Sequence, residues 1–218
     1  RKNKEIRLND YKKCLDKWKN TEYNICVVEN SGCNELKDLY ENCKNFHFLT
    51  YQTDYKNQTD NPNYGEVDSL NHFIENYEFI NNYKYIIKLT GRYFIEDMEI
   101  LKSNLNTKKS FSCITSYFNT ESFKNTNDKF DNMFKMNGWR RPLIRSNWQN
   151  TEIIVGTYNF FVTTIPQLYK SSTPQKKYIE HILYDIKHHN KDSITTMSEP
   201  IKVMKAYTGS KSKEMNYI

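Results

Sequence analysis

The sequence predicts an α/β protein: one domain, residues 1–218, with a mostly parallel central sheet and helices on both faces. Short, continuously apolar segments of strand length alternate with longer segments whose apolar residues recur at helical spacing. The strand segments lack a polar alternation, which indicates burial on both faces, as in a sheet covered by helices. A length of 218 residues suits a single domain with a sizeable core.

The first half of the chain follows a helix–strand order. Apolar residues recur every three or four positions in each predicted helix, and they are continuous in each predicted strand. The predicted elements are a helix at 8–18, a strand at Tyr23–Val28, a helix at 36–43, a strand at Phe46–Tyr51, a helix from Gly65 to Tyr77 and a strand at Tyr83–Leu89.

The second half contains further strands and one long polar loop. Strands are predicted at Ser110–Phe118, Glu152–Thr164 and Ile201–Tyr207, and a helix at 178–186. The loop before the second of these strands carries the segment GWRRPLIRSNW, Gly138–Trp148. Residues 208–218 form a polar tail that is expected to be mobile.

Charge and cysteine content narrow the class of protein. The net charge is +6, from 32 basic and 26 acidic residues that are interspersed along the chain, so no basic stripe for nucleic acid is visible. The five cysteines form no CxxC pair, which argues against a disulfide framework or a zinc knuckle and favours a reducing compartment, the cytoplasm. No apolar run has the length of a membrane span.

Ligands of open α/β sheets lie beyond the carboxyl ends of the strands, so the loops there are candidate binding sites. Two such loops are the one after the predicted strand Tyr23–Val28 and the one that leads into the predicted helix at Gly65. Glu29, Asn30 and Ser31 could bind the edge of a base or a ribose, or they could form a plain turn. Gly65 and Glu66 open a predicted helix, where they could bind phosphate or cap the helix.

The segment YIIKLTGRYFIED holds the third group of candidates. Lys88 lies near the end of a buried strand, where a lone cation is costly. Thr90 and Gly91 follow, and a glycine permits close approach of a ligand to the backbone. Arg92 offers a planar fork that suits phosphate, or it could pair with the acidic Glu96–Asp97.

Several segments together resemble a group of small glycosyltransferase-like proteins with the GT-A fold. They are KYIIKLTGRYFIED, YGEVDSLNHFIEN, YNICVVENSG, VGTYNFFVTT and QKKYIEHIL, and K-L-T-G-R-Y is the most specific. The likeness covers about 7–184. It implies a nucleotide-sugar-dependent transferase, with a nucleotide-sugar half at about 1–115 and an acceptor half at about 116–207.

The resemblance also bears on metal use. In many GT-A enzymes the strand that corresponds to Tyr85–Leu89 ends in a D-x-D pair that holds a divalent metal on the diphosphate, and here Thr90, Gly91 and Arg92 stand in its place. This departure puts metal dependence in doubt, and the guanidinium of Arg92 could stabilise the leaving diphosphate instead. Asp97–Glu99 contains a displaced acidic pair that could bind a metal or cap a helix.

The late acidic helix of the family implies a catalytic base. An inverting transfer needs a carboxylate that takes the proton of the acceptor hydroxyl, and Glu180 is the candidate. His181 is the second candidate. Glu180 could equally be a solvated helix residue beside two lysines.

The acceptor half carries aromatic, basic and polar candidates. Trp139, Arg140 and Arg141 lie in the long loop, where a tryptophan could stack on a sugar ring and an arginine could hold a charged acceptor, or the tryptophans could simply anchor a surface loop. Thr157 and Asn159, in the interior of a predicted strand, could line the acceptor pocket, or Gly156 beside them could mark a bulge.

Two other functions stay open. A descendant of the transferase fold could bind a nucleotide sugar or carbohydrate without catalysis, as the missing D-x-D pair allows. A nucleic-acid-binding module could use basic residues and stacking tyrosines. The partners expected for the preferred reading are a nucleotide-sugar donor and a glycan or other hydroxyl acceptor.

Overall fold

The computed structural model describes residues 4–54, 64–107, 113–116, 150–175, 183, 194–196, 201–207 and 214–217. Within these residues helices and strands are mixed, so the α/β class is confirmed. The elements are α1 (Lys4–Trp18), β1 (Ile25–Glu29), α2 (Glu35–Tyr40), β2 (Phe46–Thr50), α3 (Tyr64–Asn76), a 3-10 turn (Ile80–Asn82), β3 (Tyr85–Leu89), α4 (Met98–Thr107), β4 (Cys113–Ser116), β5 (Asn150–Thr157), α5 (Tyr158–Gln175), β6 (Ile194–Thr196), β7 (Lys202–Tyr207) and β8 (Glu214–Tyr217).

The helix and strand order of the first half follows the sequence pattern closely. In α1 the predicted apolar face is the packed one, since Leu15 and Trp18 are buried and Leu8 and Tyr11 pack against the same core. The exception is Leu39 of α2, an apolar residue of the helical pattern at 36–43, which is 55% exposed. α2 has six residues, which is less than two helical turns, so the spacing of its apolar residues does not define which face is buried.

The strands form three separate sheets. β1 and β2 pair in parallel, with Ile25 opposite Phe46. The second sheet has the order β3-β5-β4-β6, and the third pairs β7 with β8. In the second sheet β5 runs antiparallel to both of its neighbours, while β4 and β6 are parallel.

The prediction of a mostly parallel central sheet is therefore not confirmed in the described residues. The β1–β2 and β4–β6 pairs are parallel, and the β3–β5, β4–β5 and β7–β8 pairs are antiparallel. Burial on both faces is confirmed for β5 but not for β3, where Ile87 is 36% exposed, and in neither case does the apolar sequence show the direction of pairing. β5 illustrates the point, because it is buried on both faces and antiparallel to both neighbours.

Two hydrophobic cores lie on opposite faces of β5. Ile153 and Val155 belong to a core built with α1, α2 and the segment after β3. Ile154, between them, belongs to a second core with apolar residues of α3 and α5. Since side chains alternate across a strand, one strand supplies both cores, which explains its unbroken apolar sequence.

The predicted strand at Glu152–Thr164 ends early, and its second half is helical. β5 stops at Thr157, whose Oγ1 accepts a hydrogen bond from the amide of Phe160 at 3.2 Å, so Thr157 caps α5. Phe160, Phe161 and Ile165 then share a buried helical face. Aromatic and β-branched residues favour strands locally, but burial of this face decided the conformation.

The end of the chain also differs from expectation. Residues 214–217 of the predicted polar tail form β8, which pairs with β7. The predicted strand at Ile201–Tyr207 is present as β7. Of the predicted helix at 178–186 the structure describes Leu183 alone, and this residue is fully buried. The loop Gly138–Trp148 lies outside the described residues.

Candidate functional site

The segment Thr90–Tyr93 is a tight turn that is fixed to the first helix. The amide of Tyr93 donates to the carbonyl of Thr90 at 2.9 Å, which places Gly91 and Arg92 at the two central positions. The carbonyl of Tyr93 accepts from Cys14 Sγ at 3.0 Å and from Trp18 Nε1 at 3.1 Å. Tyr93 is 1% exposed, so the turn has a buried anchor.

The side chain of Arg92, in this turn, has a donor atom, Nε, without a partner in the described part of the chain. Its Nε atom is shielded from solvent and makes no hydrogen bond, and no ion pair of Arg92 is present among the described residues. A buried donor without a partner costs roughly 1–3 kcal/mol. Thr50 Oγ1 is shielded and without a partner in the same way, and a ligand, an ion or an ordered water can satisfy such a group.

The acidic residues that could have neutralised Arg92 are engaged elsewhere. Glu96 pairs with Lys202 at 2.8 Å between Oε2 and Nζ. Asp97 Oδ1 accepts the amides of Glu99 at 3.0 Å and of Ile100 at 3.4 Å, so it caps α4. Glu99 itself pairs with Lys102 at 2.8 Å. The alternative interpretation of Arg92, an ion pair with Glu96–Asp97, is not the arrangement in the structure.

Lys88 and Glu66 form an ion pair between β3 and the first turn of α3. The Lys88 side chain is only 11% exposed and that of Glu66 is 33% exposed. The pair offsets part of the cost of removing most of the Lys88 side chain from water. The pair brings two of the predicted site residues together with opposite charges, and Arg92 is a second cation at this strand end.

Asn30 joins the end of β1 to the same helix terminus. Its Nδ2 donates to the carbonyl of Gly65 and to Ser69 Oγ, both at 3.1 Å. Ser69 Oγ also donates to the carbonyl of Gly65, at 2.7 Å. The loop after β1 and the start of α3, two separate candidate loops in the sequence, therefore lie in contact.

Glu29 and Ser31 form a local turn. Glu29 Oε1 accepts the amide of Ser31 at 2.8 Å, and Ser31 bridges to Gln52. Gly32 follows with φ of +73°, a conformation that favours glycine. These contacts match the plain-turn interpretation of Glu29 and Ser31, and they orient Asn30 toward α3.

A polar cluster that the sequence analysis missed lies beside Asn30. Asp68 Oδ2 accepts from Tyr51 Oη at 2.7 Å and from Thr53 Oγ1 at 2.6 Å, and Thr53 is 3% exposed. The Tyr51 ring stacks on His72 with centroids 3.9 Å apart. Burial, more than the neighbouring carboxylate, raises the pKa of Tyr51. The partners are 15 and 17 residues apart in sequence, so no local motif signals them.

The acceptor-half candidates are only partly described. Thr157 caps α5, and Asn159 is exposed in the first turn of that helix, where its carbonyl accepts from Thr163 Oγ1 at 2.6 Å. Thr157 is the last residue of β5 and Asn159 is helical, so the prediction that both lie in a strand interior is wrong. Glu180, Trp139 and Arg140–Arg141 lie outside the described residues.

No family model matches the chain, and no curated protein or solved structure matches it. In the part of the chain that the structure describes, no three histidine, cysteine or acidic residues group closely enough to hold a metal ion. None of the helices described there combines the length and apolar character needed to cross a membrane.

Chemically, the strand-end region combines three features. It has one arginine with an unused donor, a neutral Lys88–Glu66 pair, and a network of amide and hydroxyl groups around Asp68. A guanidinium held by an anchored turn can receive a phosphate or carboxylate in bidentate geometry. The amide of Asn30 and the hydroxyl groups around Asp68 are of the kind that can hydrogen-bond to a sugar or a base.

Proposed function

We propose that this protein is a glycosyltransferase that moves a sugar from a nucleotide-sugar donor to a carbohydrate or other hydroxyl acceptor, without a bound metal. The fold proposed with it is a GT-A-like domain. The observation that carries the proposal is Arg92: its Nε is buried without a partner at the carboxyl end of β3, and both nearby carboxylates have other partners. The motif K-L-T-G-R-Y, and its resemblance to the GT-A group, support the same site.

The proposed role of Arg92 is to stabilise the charge that develops on the leaving nucleoside diphosphate. Glycosidic bond cleavage leaves negative charge on the terminal phosphate oxygen. A guanidinium that is already held in position can stabilise that charge in the transition state, because it needs little rearrangement when the bond breaks. The anchoring of Tyr93 to Cys14 and Trp18 supports such preorganisation.

The proposed role of the Asn30–Gly65 contact is to shape the nucleotide side of the site. Helix α3 begins there, so its first amides offer partial positive charge. Glu66 and Lys88 hold this helix end to β3, and Asn30 holds it to the loop after β1. These three residues therefore act in positioning, whereas Thr90, Gly91 and Arg92 would approach the donor.

The deciding experiment measures donor binding to the Arg92→Ala variant. Calorimetry against uridine and guanosine diphosphate sugars should show affinity lower by about tenfold to a hundredfold than for the original chain, because hydrogen bonds between charged groups contribute roughly 1.5–3 kcal/mol. The melting temperature should change little, because the substitution removes an unpaired buried donor while it removes some packing of the half-buried side chain. The Lys102→Ala variant, an exposed lysine that pairs with Glu99, is the matched control.

Unchanged donor affinity in Arg92→Ala would remove the basis of the proposal. Donor binding without transfer to any hydroxyl acceptor would instead favour a non-catalytic binding protein. Salt-sensitive binding to oligonucleotides, with no affinity for nucleotide sugars, would favour the nucleic-acid module.

A further inference from the structure

The edge of β2 that faces away from β1 has no pairing partner among the described residues, and a groove lies beside the strand. In the described residues β2 pairs with β1 on one side only. A groove of about 330 Å³ is lined by Phe46–Leu49 of this strand. Lys37 and Glu41 line it from the side of α2, called the α2 wall below, and Asn76–Phe79 line it from the end of α3.

The backbone groups on this edge follow from the parallel register. The amide of Ile25 donates to the carbonyl of Asn45, and the amide of Tyr51 donates to the carbonyl of Glu29. Residues at odd positions of β2 therefore bond to β1, so Phe48 and Thr50 direct their amides and carbonyls to the open edge. The amide of Phe46 is used locally, by the carbonyl of Cys43 at 3.0 Å, and leaves its carbonyl for the edge.

Within the described residues, β2 lacks three of the features that protect edge strands against pairing, which are charged residues, proline and a bulge. Its sequence, Phe-His-Phe-Leu-Thr, has no charged residue and no proline, and the register with β1 shows no bulge. Natural edge strands normally carry at least one of these devices. Phe79, on the groove wall beside His47, is 41% exposed.

We propose that two copies of this chain pair along the outer edge of β2, in antiparallel orientation, about a two-fold axis at Phe48. The two Phe48 residues would exchange both amide–carbonyl hydrogen bonds. The amide of Thr50 in each copy would donate to the carbonyl of Phe46 in the other. The result is a continuous four-stranded sheet, β1-β2-β2-β1, and it does not depend on the proposed transferase activity.

The charges on the α2 wall favour a second copy over an unrelated strand. Lys37 and Glu41 are both exposed and lie one helical turn apart along the same wall. A two-fold axis reverses the order of the wall in the second copy. Lys37 of one copy then faces Glu41 of the other, and the reciprocal contact forms as well, so the wall is complementary to itself.

Sedimentation equilibrium over a wide range of protein concentration tests the proposal. We expect a monomer–dimer equilibrium with a limiting mass twice that of one chain. The K37E and E41K variants should each dissociate about tenfold more readily, because two attractive contacts become two repulsive ones. Lys13→Glu, an exposed charge reversal on α1, is the control that should leave the dimer unchanged.

Two further samples separate this edge from any other interface. The K37E/E41K double variant should dimerise as well as the original chain. An equimolar mixture of K37E and E41K should form a heterodimer more stable than either homodimer. Hydrogen exchange should show concentration-dependent protection of the Phe48 and Thr50 amides.

A monomer at every concentration would overturn the proposal, and so would a dimer whose stability ignores the charge of positions 37 and 41. Circular dichroism and melting temperature of each variant check that loss of dimer is not loss of fold. The substituted side chains are exposed, so the fold should tolerate them.

Discussion

At the residue scale, two neighbours in the turn Thr90–Tyr93 have different roles: Tyr93 anchors the turn, and Arg92 carries the candidate binding group. Tyr93 is almost wholly buried and its carbonyl takes two hydrogen bonds from α1. Arg92, one position earlier, keeps a donor without a partner. The turn therefore holds the guanidinium in place without using it, which is the arrangement that a preformed anion site requires.

The cysteines at this scale are structural. Cys14 lies in the core under the turn, and Cys26 lies in β1. Burial raises the pKa of both thiols from 9.0 to about 12. Both are free in the structure, together with Cys33 and Cys43.

We expect Cys14 and Cys26 to resist alkylation in the folded protein near pH 9. Only the thiolate form of a cysteine reacts with the reagent. At pH 9 an ordinary thiol is half ionised, whereas about one in a thousand thiols with a pKa near 12 is ionised. Mass spectrometry after a timed iodoacetamide pulse measures the labelling at each position. The same pulse in denaturant is the control.

The pH dependence has a definite sign. Because the unfolded thiols ionise first, the free energy of unfolding should fall as the pH rises from about 9 toward about 12. Rapid labelling of Cys14 in the folded state would contradict the buried placement of α1 against the turn.

At the element scale, the junction of β5 and α5 depends on one glycine. Gly156 lies in β5 opposite Ile86, immediately before the cap Thr157. A Cβ at Gly156 would lie 2.7 Å from the ring of Phe160 and 2.9 Å from that of Phe161. The helix can fold back onto the strand because this position has no side chain.

The Gly156→Ala variant should lower the free energy of unfolding by about 1–3 kcal/mol, since both rings are buried and have little room to move. Urea denaturation followed by fluorescence measures the loss. Gly91→Ala is the matched control, with its Cβ 3.3 Å from the Tyr11 ring and a smaller expected loss. Equal stability of Gly156→Ala and the original chain would mean that α5 does not pack on β5 as described.

At the scale of the whole molecule, helix α3 connects the parts that would bind the donor. It contacts the loop after β1 through Asn30, the end of β3 through Lys88, and the second core through Val67 and Leu70. The strand ends of two different sheets therefore meet at its first turn. A donor bound there would contact residues from both sheets.

The proposed acceptor half supplies a prediction at the same scale. Glu180→Gln should abolish sugar transfer and leave donor affinity nearly unchanged, because the amide cannot take the proton of the acceptor hydroxyl. Calorimetry with the donor and a transfer assay with a hydroxyl acceptor measure the two effects separately. Retained transfer would remove Glu180 as the base and move attention to His181.

The sequence by itself determined the local elements of the first half. The helical period of Leu8, Tyr11, Leu15 and Trp18 predicts α1, and the continuous apolar runs predict β1, β2 and β3 to within two residues. It also marked the strand ends that carry polar residues. These are properties of neighbours along the chain, and periodicity and turn chemistry report them directly.

Only the tertiary structure decided how those pieces meet. The Glu66–Lys88 pair, the Asn30–Gly65 contact and the Asp68 hydroxyl cluster join residues 15 to 35 positions apart. It also decided that Phe160 and Phe161 are helical and that β5 runs antiparallel to both neighbours. Burial of a face against distant residues outweighs local preference, and a sequence pattern shows that a face is buried but not what covers it.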